Sequence, residues 1–412
     1  VLRLLRDNRE HLAARIGAPV EVVRVLVRDP AKARVPECDP AWVTTDPELL
    51  FQGSPVDVAI EVMGGETPAR GLIERAIDAG TSVVSANKFL LAKHGPELIE
   101  RAGARGVDLA FEASVGGGVP VIRTLRDSLT SDWVSSVHAL LNGTCNYILT
   151  RMRTGLSFQT ALREAQELGY AEAEPSLDVD GHDAAQKLAV LSMLAFGAAV
   201  SEPIHTEGIS ELDDLDFRFA ERFGFAIKHV AVGIERDAHL ELRVHAALVP
   251  ETSPLAGIHG VLNGVFIHGR ALGPCLLVGQ GAGEMPTAVS VVADLVDVAR
   301  ARVEGASGLA TKAIRTRRRP LAKMQDVSAR YYLRFDVRDQ PGVLGSITTE
   351  LGRAGVSVEQ MVQEGRGTSE QAVPVLLITH RSPEGAVQGA LAAIGRQPFM
   401  TRAPRLLRIE EI

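Results

Sequence analysis

At 412 residues the chain is long enough for two or three domains of roughly 150 residues each. Its hydrophobic share of 46% suffices for several cores, and with aromatics at only 4% the packing falls to Ala, Val, Leu and Gly. A net charge of −7 argues against nucleic acid and anionic membrane surfaces as the main partners.

Residues 1–8 read as the tail of a helix already under way. Residues 21–27 and 56–62 are β-branched apolar runs suited to a parallel sheet buried on both faces. Residues 67–79 have helical spacing, 81–85 form a third strand, 89–104 a helix, and 107–112 a fourth strand. Strands alternating with helices imply βαβ units in a Rossmann-like doubly wound sheet, whose ligands lie at the carboxyl ends of the strands. A Gly-rich turn at 115–118 leads into a helix over 120–129. Helices follow at 156–169 and from about Asp180. From 226 to 279 the pattern turns to strands, at 226–235, 240–249, 261–268 and 275–279, an antiparallel sheet of α+β type. Residues 285–303 are a strong helix with Pro286 in its first turn.

Residues 304–327 are polar and basic, include Arg315, Arg317, Arg318 and Arg319, and read as a solvated linker. Residues 330–412 then read β-α-β-β-α-β, with strands at 331–337, 356–362, 373–379 and 405–409 and helices at 343–354 and 383–395. That is a ferredoxin-like split βαβ module. The expected division is a nucleotide-binding domain over 1–115, with helix 285–303 packing back on it, and a substrate-binding and dimerisation domain over 116–303. A linker over 304–328 and a regulatory domain over 329–412 complete it.

Cys38, Cys145 and Cys275 are far apart, odd in number and lack metal-ligand spacing, which points to a reducing, cytoplasmic compartment. The longest apolar run, 188–200, is too short to span a bilayer, so no membrane partner is expected.

Four constellations could carry chemistry. In GYAEAEPSLDVDGHDAAQK (residues 169–187) carboxylates crowd ahead of an apolar helix. Asp183 and Lys187 stand four apart on one face there, and Asp180 is a candidate N-cap. An exposed ion pair is the bland reading. The turns that follow are apolar all round, so Lys187 sits at the mouth of a core, where an ammonium needs a partner. A lysine so placed can move a proton to or from an alkoxide. The second constellation is SANK (85–88), with Lys88 at the carboxyl end of a strand. The third is EASVGGGV (112–119), a bare turn or a cage of carbonyls and one carboxylate for a monovalent cation. The fourth is GQGAG (279–283), where glycines permit close approach of a ligand to a helix N-terminus. No G-x-G-x-x-G occurs near the N-terminus. The first strand and its loop are expected ahead of Val1, and without them the chain would hold a cofactor weakly. Arg28 ends the strand over 21–27, where a 2′-phosphate is read, and Asp29 beside it suits ribose hydroxyls, so NAD and NADP stay open.

Taken together, EVMGG (61–65), SANK, FEASVGGGVPVI (111–122), LNGTCNYIL (141–149), the 169–187 segment and GQGAGEMPTA (279–288) resemble the homoserine dehydrogenase family, over nearly the whole chain. The C-terminal module resembles an ACT domain. The resemblance implies NAD(P)H-dependent reduction of L-aspartate 4-semialdehyde to L-homoserine. It implies Lys187 as proton donor, Asp183 orienting it, and Lys88 at substrate and nicotinamide. Glu172 would hold the substrate amino group, with Gly169 and Asp178 nearby. Gly64, Ser85, Gly281 and Gly283, with Arg28, would touch the cofactor. Glu112 with the carbonyls of Val115, Gly117 and Val119 would bind sodium. Threonine would act at Asp339-Gln340-Pro341-Gly342, and the protein would be a homodimer or homotetramer. Two positions depart from the family: Glu174 replaces Asp, Asn or Ser, and Cys145 replaces Thr, as a packed thiol. The competing readings are an amino-acid-binding regulatory protein with an inactive dehydrogenase half, and a dehydrogenase for another small amino-aldehyde.

Overall fold

The apolar runs VAIE, SVVS and LA become the strands Val58–Glu61, Ser82–Ser85 and Leu109–Ala110, parallel and adjacent in that order. The connections between parallel neighbours are the helices Ala69–Asp78 and Lys88–Arg105, as parallel pairing demands. The 20-residue helix Glu284–Val303 closes this layer. Its Val291 and Val298 pack with Val84, Ala110 and Ala113. These facts come from a computed structural model that describes residues 1–52, 55–364 and 372–412.

The chain divides into two units. The first gathers Val1–Val137, Asp183–Pro203 and Val261–Arg319; the second gathers His138–His182, Ile204–Gly260 and Pro320–Ile412. In the first, the hairpin Leu262–Gly269/Gly273–Gln280 is antiparallel, with alternating exposure along its second strand. In the second, six strands run Phe225–Glu235, Leu240–Pro250, Arg405–Ile409, Ser328–Arg338, Ala372–Thr379 and Val358–Gln363. The last four, with helices Val343–Arg353 and Glu384–Gly395, make the ferredoxin-like β-α-β-β-α-β module. Tyr331, Leu333, Phe335, Ile347, Leu351, Val387 and Ile394 form its core, the helices covering one face of the sheet.

Several expectations need correction. The strand expected over 21–27 shrinks to Val25–Leu26, because its partner, Val43–Thr44, is only two residues long. The helix over 120–129 is an α-turn, Val121–Arg123, followed by a π-turn, Thr124–Ser128. Asp180 does not cap the long helix. It closes the short helix Ser176–Val179, Gly181 (φ 89°) breaks the chain, and the long helix runs His182–Ala195. The strand Val134–Leu140 and the helices Gly143–Met152 and Asp214–Arg222 were not expected. The stretch 304–327 is not uniformly solvated. Helix Leu309–Ala313 buries Thr311, whose hydroxyl accepts the Leu109 amide at 2.7 Å, and Arg317–Arg318 pair with Ala198–Ala199.

Candidate active site

The first unit holds a cleft of ≈ 580 Å³ whose wall includes Val62, Ala86, Lys88, Gly117, Lys187 and Gly283. Each enters by a local rule. Asn87 caps helix Lys88–Arg105 by accepting the Leu90 amide at 3.1 Å, which places Lys88 at the first helical position. A cation there opposes the helix dipole and calls for a compensating anion. Asp183 supplies it. Its Oδ1 lies 2.7 Å from Lys88 Nζ, and its Oδ2 accepts Lys187 Nζ at 2.7 Å. One turn of helix His182–Ala195 sets the second contact, and the apolar turns that follow bury both partners.

The Asp183 side chain is 4% exposed, that of Lys187 11% and that of Lys88 35%. Burial alone would raise the Asp183 carboxyl. Lys187 and Lys88 outweigh it and hold the group well below the usual carboxylate range. Asp183 is therefore an anion at any working pH, suited to orienting ammonium groups rather than to carrying protons. Two lysines thus converge on one aspartate at the cleft wall.

Opposite features suit a nucleotide. Gly283 (φ 117°) begins helix Glu284–Val303 without a side-chain cap, so its first amides are left for an anionic or polar group at the cleft. The Gly117 and Gly281 backbones meet so closely that a Cβ on Gly117 would lie 2.6 Å from the Gly281 carbonyl oxygen. The residues present thus fit a dinucleotide's nicotinamide end. Arg28 is exposed beyond strand Val25–Leu26, and neither Arg28, Gly64 nor Ser85 lines the cleft. Ser85 is fully buried and its hydroxyl donates to Glu61, so that side chain does not reach the cofactor space as expected.

Glu112 also has a structural role. Its Oε1 accepts the Ile122 amide at 2.9 Å and its Oε2 the Arg123 amide at 2.8 Å. The helix starting after Pro120 has no side-chain cap of its own, and Glu112 serves as one from a distance. Gly117 O accepts the Ser290 hydroxyl at 2.6 Å, and Val119 O accepts the Val121 amide at 2.8 Å. Glu112, Gly117 and Val119 thus each spend part of their acceptor capacity inside the fold. Burial pushes the Glu112 carboxyl up, with the two amides opposing. Burial also pushes Asp294, which accepts the Glu112 amide at 2.7 Å, up to about 7.

Gly169, Glu172 and Asp178 belong to the second unit. Glu172 is exposed, and Gly169 turns the chain ahead of it at φ 74°. Asp178 Oδ1 accepts Asn142 Nδ2 at 2.7 Å, while Asn142 Oδ1 accepts the Cys145 amide at 2.8 Å and caps helix Gly143–Met152. The Cys145 thiol is buried and donates to the Asp178 carbonyl at 3.2 Å, a packed thiol as expected. Glu174 accepts the Ser176 amide at 3.2 Å and its hydroxyl, which supports helix Ser176–Val179 after a capless Pro175. Sequence reasoning missed Glu61, Asn87, Asn142 and Asp294. The asparagines carried a legible signal, since each immediately precedes a helix.

The family model described as homoserine dehydrogenase matches residues 120–296, and that described as its NAD-binding domain matches residues 1–112. An ACT domain model matches residues 331–396. The chain is 38% identical to a homoserine dehydrogenase of Pseudomonas aeruginosa, over 99% of the chain and 95% of that protein. It is similar to the crystal structure of a Thiobacillus denitrificans homoserine dehydrogenase, with a TM-score of 0.93 and 40% identity. That match covers 100% of this chain and 95% of the other. A hyperthermophilic archaeal homoserine dehydrogenase mutant solved with NADPH matches at a TM-score of 0.53 and 28% identity, covering 61% of this chain and 74% of that one.

Proposed function

From the premise that the chain belongs to the homoserine dehydrogenase family, NAD(P)-dependent oxidoreductases, we propose that it reduces L-aspartate 4-semialdehyde to L-homoserine with Lys187 as the proton donor. The observation that carries this reading is one buried carboxylate bridging two lysines on the cleft wall. Bound NAD(P)H supplies the hydride. As negative charge builds on the aldehyde oxygen, the ammonium of Lys187 stabilises it and hands over a proton, giving the alcohol. Asp183 fixes the direction of that ammonium and holds Lys88, which adds positive charge beside the nicotinamide end. As the family resemblance implies, Glu172 takes the substrate's α-ammonium, with Gly169 and Asp178 nearby. Gly281 and Gly283 admit the cofactor; no step is routed through a metal ion.

The domain roles follow the same proposal: nucleotide binding over 1–115 with helix 285–303, substrate binding and dimerisation over 116–303, and regulation over 329–412. Threonine is the proposed effector at the Asp339–Gly342 turn, where Gly342 (φ 92°) opens helix Val343–Arg353. Amino-acid biosynthesis in the cytoplasm and a homodimeric or homotetrameric state belong to this reading. Among the described residues no helix is long and apolar enough to cross a membrane.

The test is an NAD(P)H oxidation assay with aspartate semialdehyde on the protein and on Lys187→Ala. A loss of about 10³-fold in kcat is expected, within the range of general acid catalysis. Wild-type turnover in the variant would remove Lys187 from the reaction. Added threonine that changes neither rate nor heat of binding would remove the proposed effector.

A further inference from the structure

We propose that Glu61 is a positioning residue that holds two turns of the cleft wall and, through the second, sets Lys88. The inference rests on the reading of Lys88 and the cleft given above. Glu61 ends strand Val58–Glu61 and is 6% exposed. Its Oε1 accepts the amides of Met63 at 2.8 Å and Gly64 at 3.2 Å. Its Oε2 accepts the Ser85 hydroxyl at 2.7 Å. Ser85 Oγ in turn accepts the Asn87 amide at 3.1 Å. Asn87 closes the loop: its Nδ2 donates to Gly65 O at 2.7 Å, and its Oδ1 caps the helix that opens with Lys88.

The bonding has a physical purpose. The rest of the strand is apolar (VAI), and a carboxylate withdrawn from water costs free energy unless its lone pairs are filled. Here both oxygens are filled, and by the donors of two turns. Gly64 and Gly65 lie at φ 73° and 72°, a left-handed pair that only glycine adopts freely and that glycine loses the most entropy in holding. The turn therefore needs an external clamp, and the carboxylate is one. Val62 directly follows Glu61, Ala86 directly follows Ser85, and both line the cleft with Lys88. Glu61 thereby links the shape of the nucleotide space to the position of the lysine.

The experiment measures NADPH affinity by fluorescence titration, and kcat, on Glu61→Ala, Glu61→Gln, Ser85→Ala and Lys88→Met in the full chain. Glu61→Ala should weaken NADPH binding at least tenfold, about 1.4 kcal/mol. Glu61→Gln keeps an oxygen for the Met63 and Gly64 amides and should stay within about threefold. Ser85→Ala leaves that turn clamped but cuts the link to Asn87. Its NADPH affinity should hold within about threefold while kcat falls about tenfold, as expected for slight misplacement of a reacting group. Affinity and kcat within twofold of wild type in Glu61→Ala and Ser85→Ala, with loss confined to thermal stability, would overturn the proposal. If Glu61→Ala does not fold, the kcat of Ser85→Ala decides alone. Full activity in Lys88→Met would remove the reading of Lys88. An inactive Lys88→Met beside unchanged NADPH affinity in Glu61→Ala would remove only the role of Glu61.

Discussion

Two buried ion clusters, one in each unit, share chemistry and differ in setting. In the first unit, Asp183 faces two lysines, and both lysines line a cleft. In the second, Arg408 (1% exposed) donates to Glu207 at 2.8 and 2.7 Å and to Glu384 at 2.9 and 2.7 Å. Arg243 beside it bonds Glu241 at 3.0 Å and Glu410 at 2.8 Å. Burial opposes ionisation of Glu207 and Glu410, yet their cationic neighbours hold both carboxyls well below the usual range. There two guanidinium forks are spent on four carboxylates, and none of these six side chains lines the cleft. The difference teaches that burial and ion pairing alone do not mark a reactive site; an ion cluster whose members line open volume is the better candidate.

The comparison can be broken most directly at Asp183. Asp183→Asn preserves shape but removes the anion between two ammonium groups, and a kcat loss on the order of 10³-fold is expected from steady-state assay. Unchanged kcat would make this cluster as structural as the other. The second-largest effect lies in the second unit. Arg408→Met strips the guanidinium from the buried Glu384 and should cost about 3 kcal/mol in urea unfolding. The folded variant should turn over normally; a kcat loss with intact stability would reverse the contrast.

A third carboxyl sharpens it through pH. Asp294 titrates near 7 when folded, against 3.8 unperturbed, because it is buried. As pH rises from about 4 to 7 the unfolded chain gives up this proton while the folded chain keeps it, so stability falls through that window. Asp294→Asn should flatten the fall, seen as a smaller loss of Tm between about pH 4 and 7. A profile of unaltered slope would mean that Asp294 is ionised in the fold. The smallest effect is expected at Cys145. Cys145→Ser keeps a donor for the Asp178 carbonyl and should change stability by about 1 kcal/mol, with kcat within twofold. Inactivation would point instead to a nucleophilic thiol.

Much of this was legible before any coordinates. Asp183 and Lys187 were visible as an i,i+4 pair ahead of an all-apolar helix, and Lys88 as a cation at the carboxyl end of a strand. The β-α-β-β-α-β module showed itself by its change of period. Less legible were Val134–Leu140 and Gly143–Met152, where Ser135, Ser136 and His138 interrupt the apolar strand pattern. The capping role of Glu112 was not legible, because its donors, the amides of Ile122 and Arg123, lie ten and eleven residues on.

The order of residues by itself determined what depends on near neighbours: helix faces, strand alternation, caps such as Asn87, and turns that require glycine. Only the tertiary structure decided which carboxylate meets which donor. Glu61 is linked to Ser85, Asp183 to Lys88, and Arg408 to Glu207 across 24, 95 and 201 positions. Those pairings depend on how separate elements pack, and whether a buried charge is balanced or left over follows from the packing, not from the spacing.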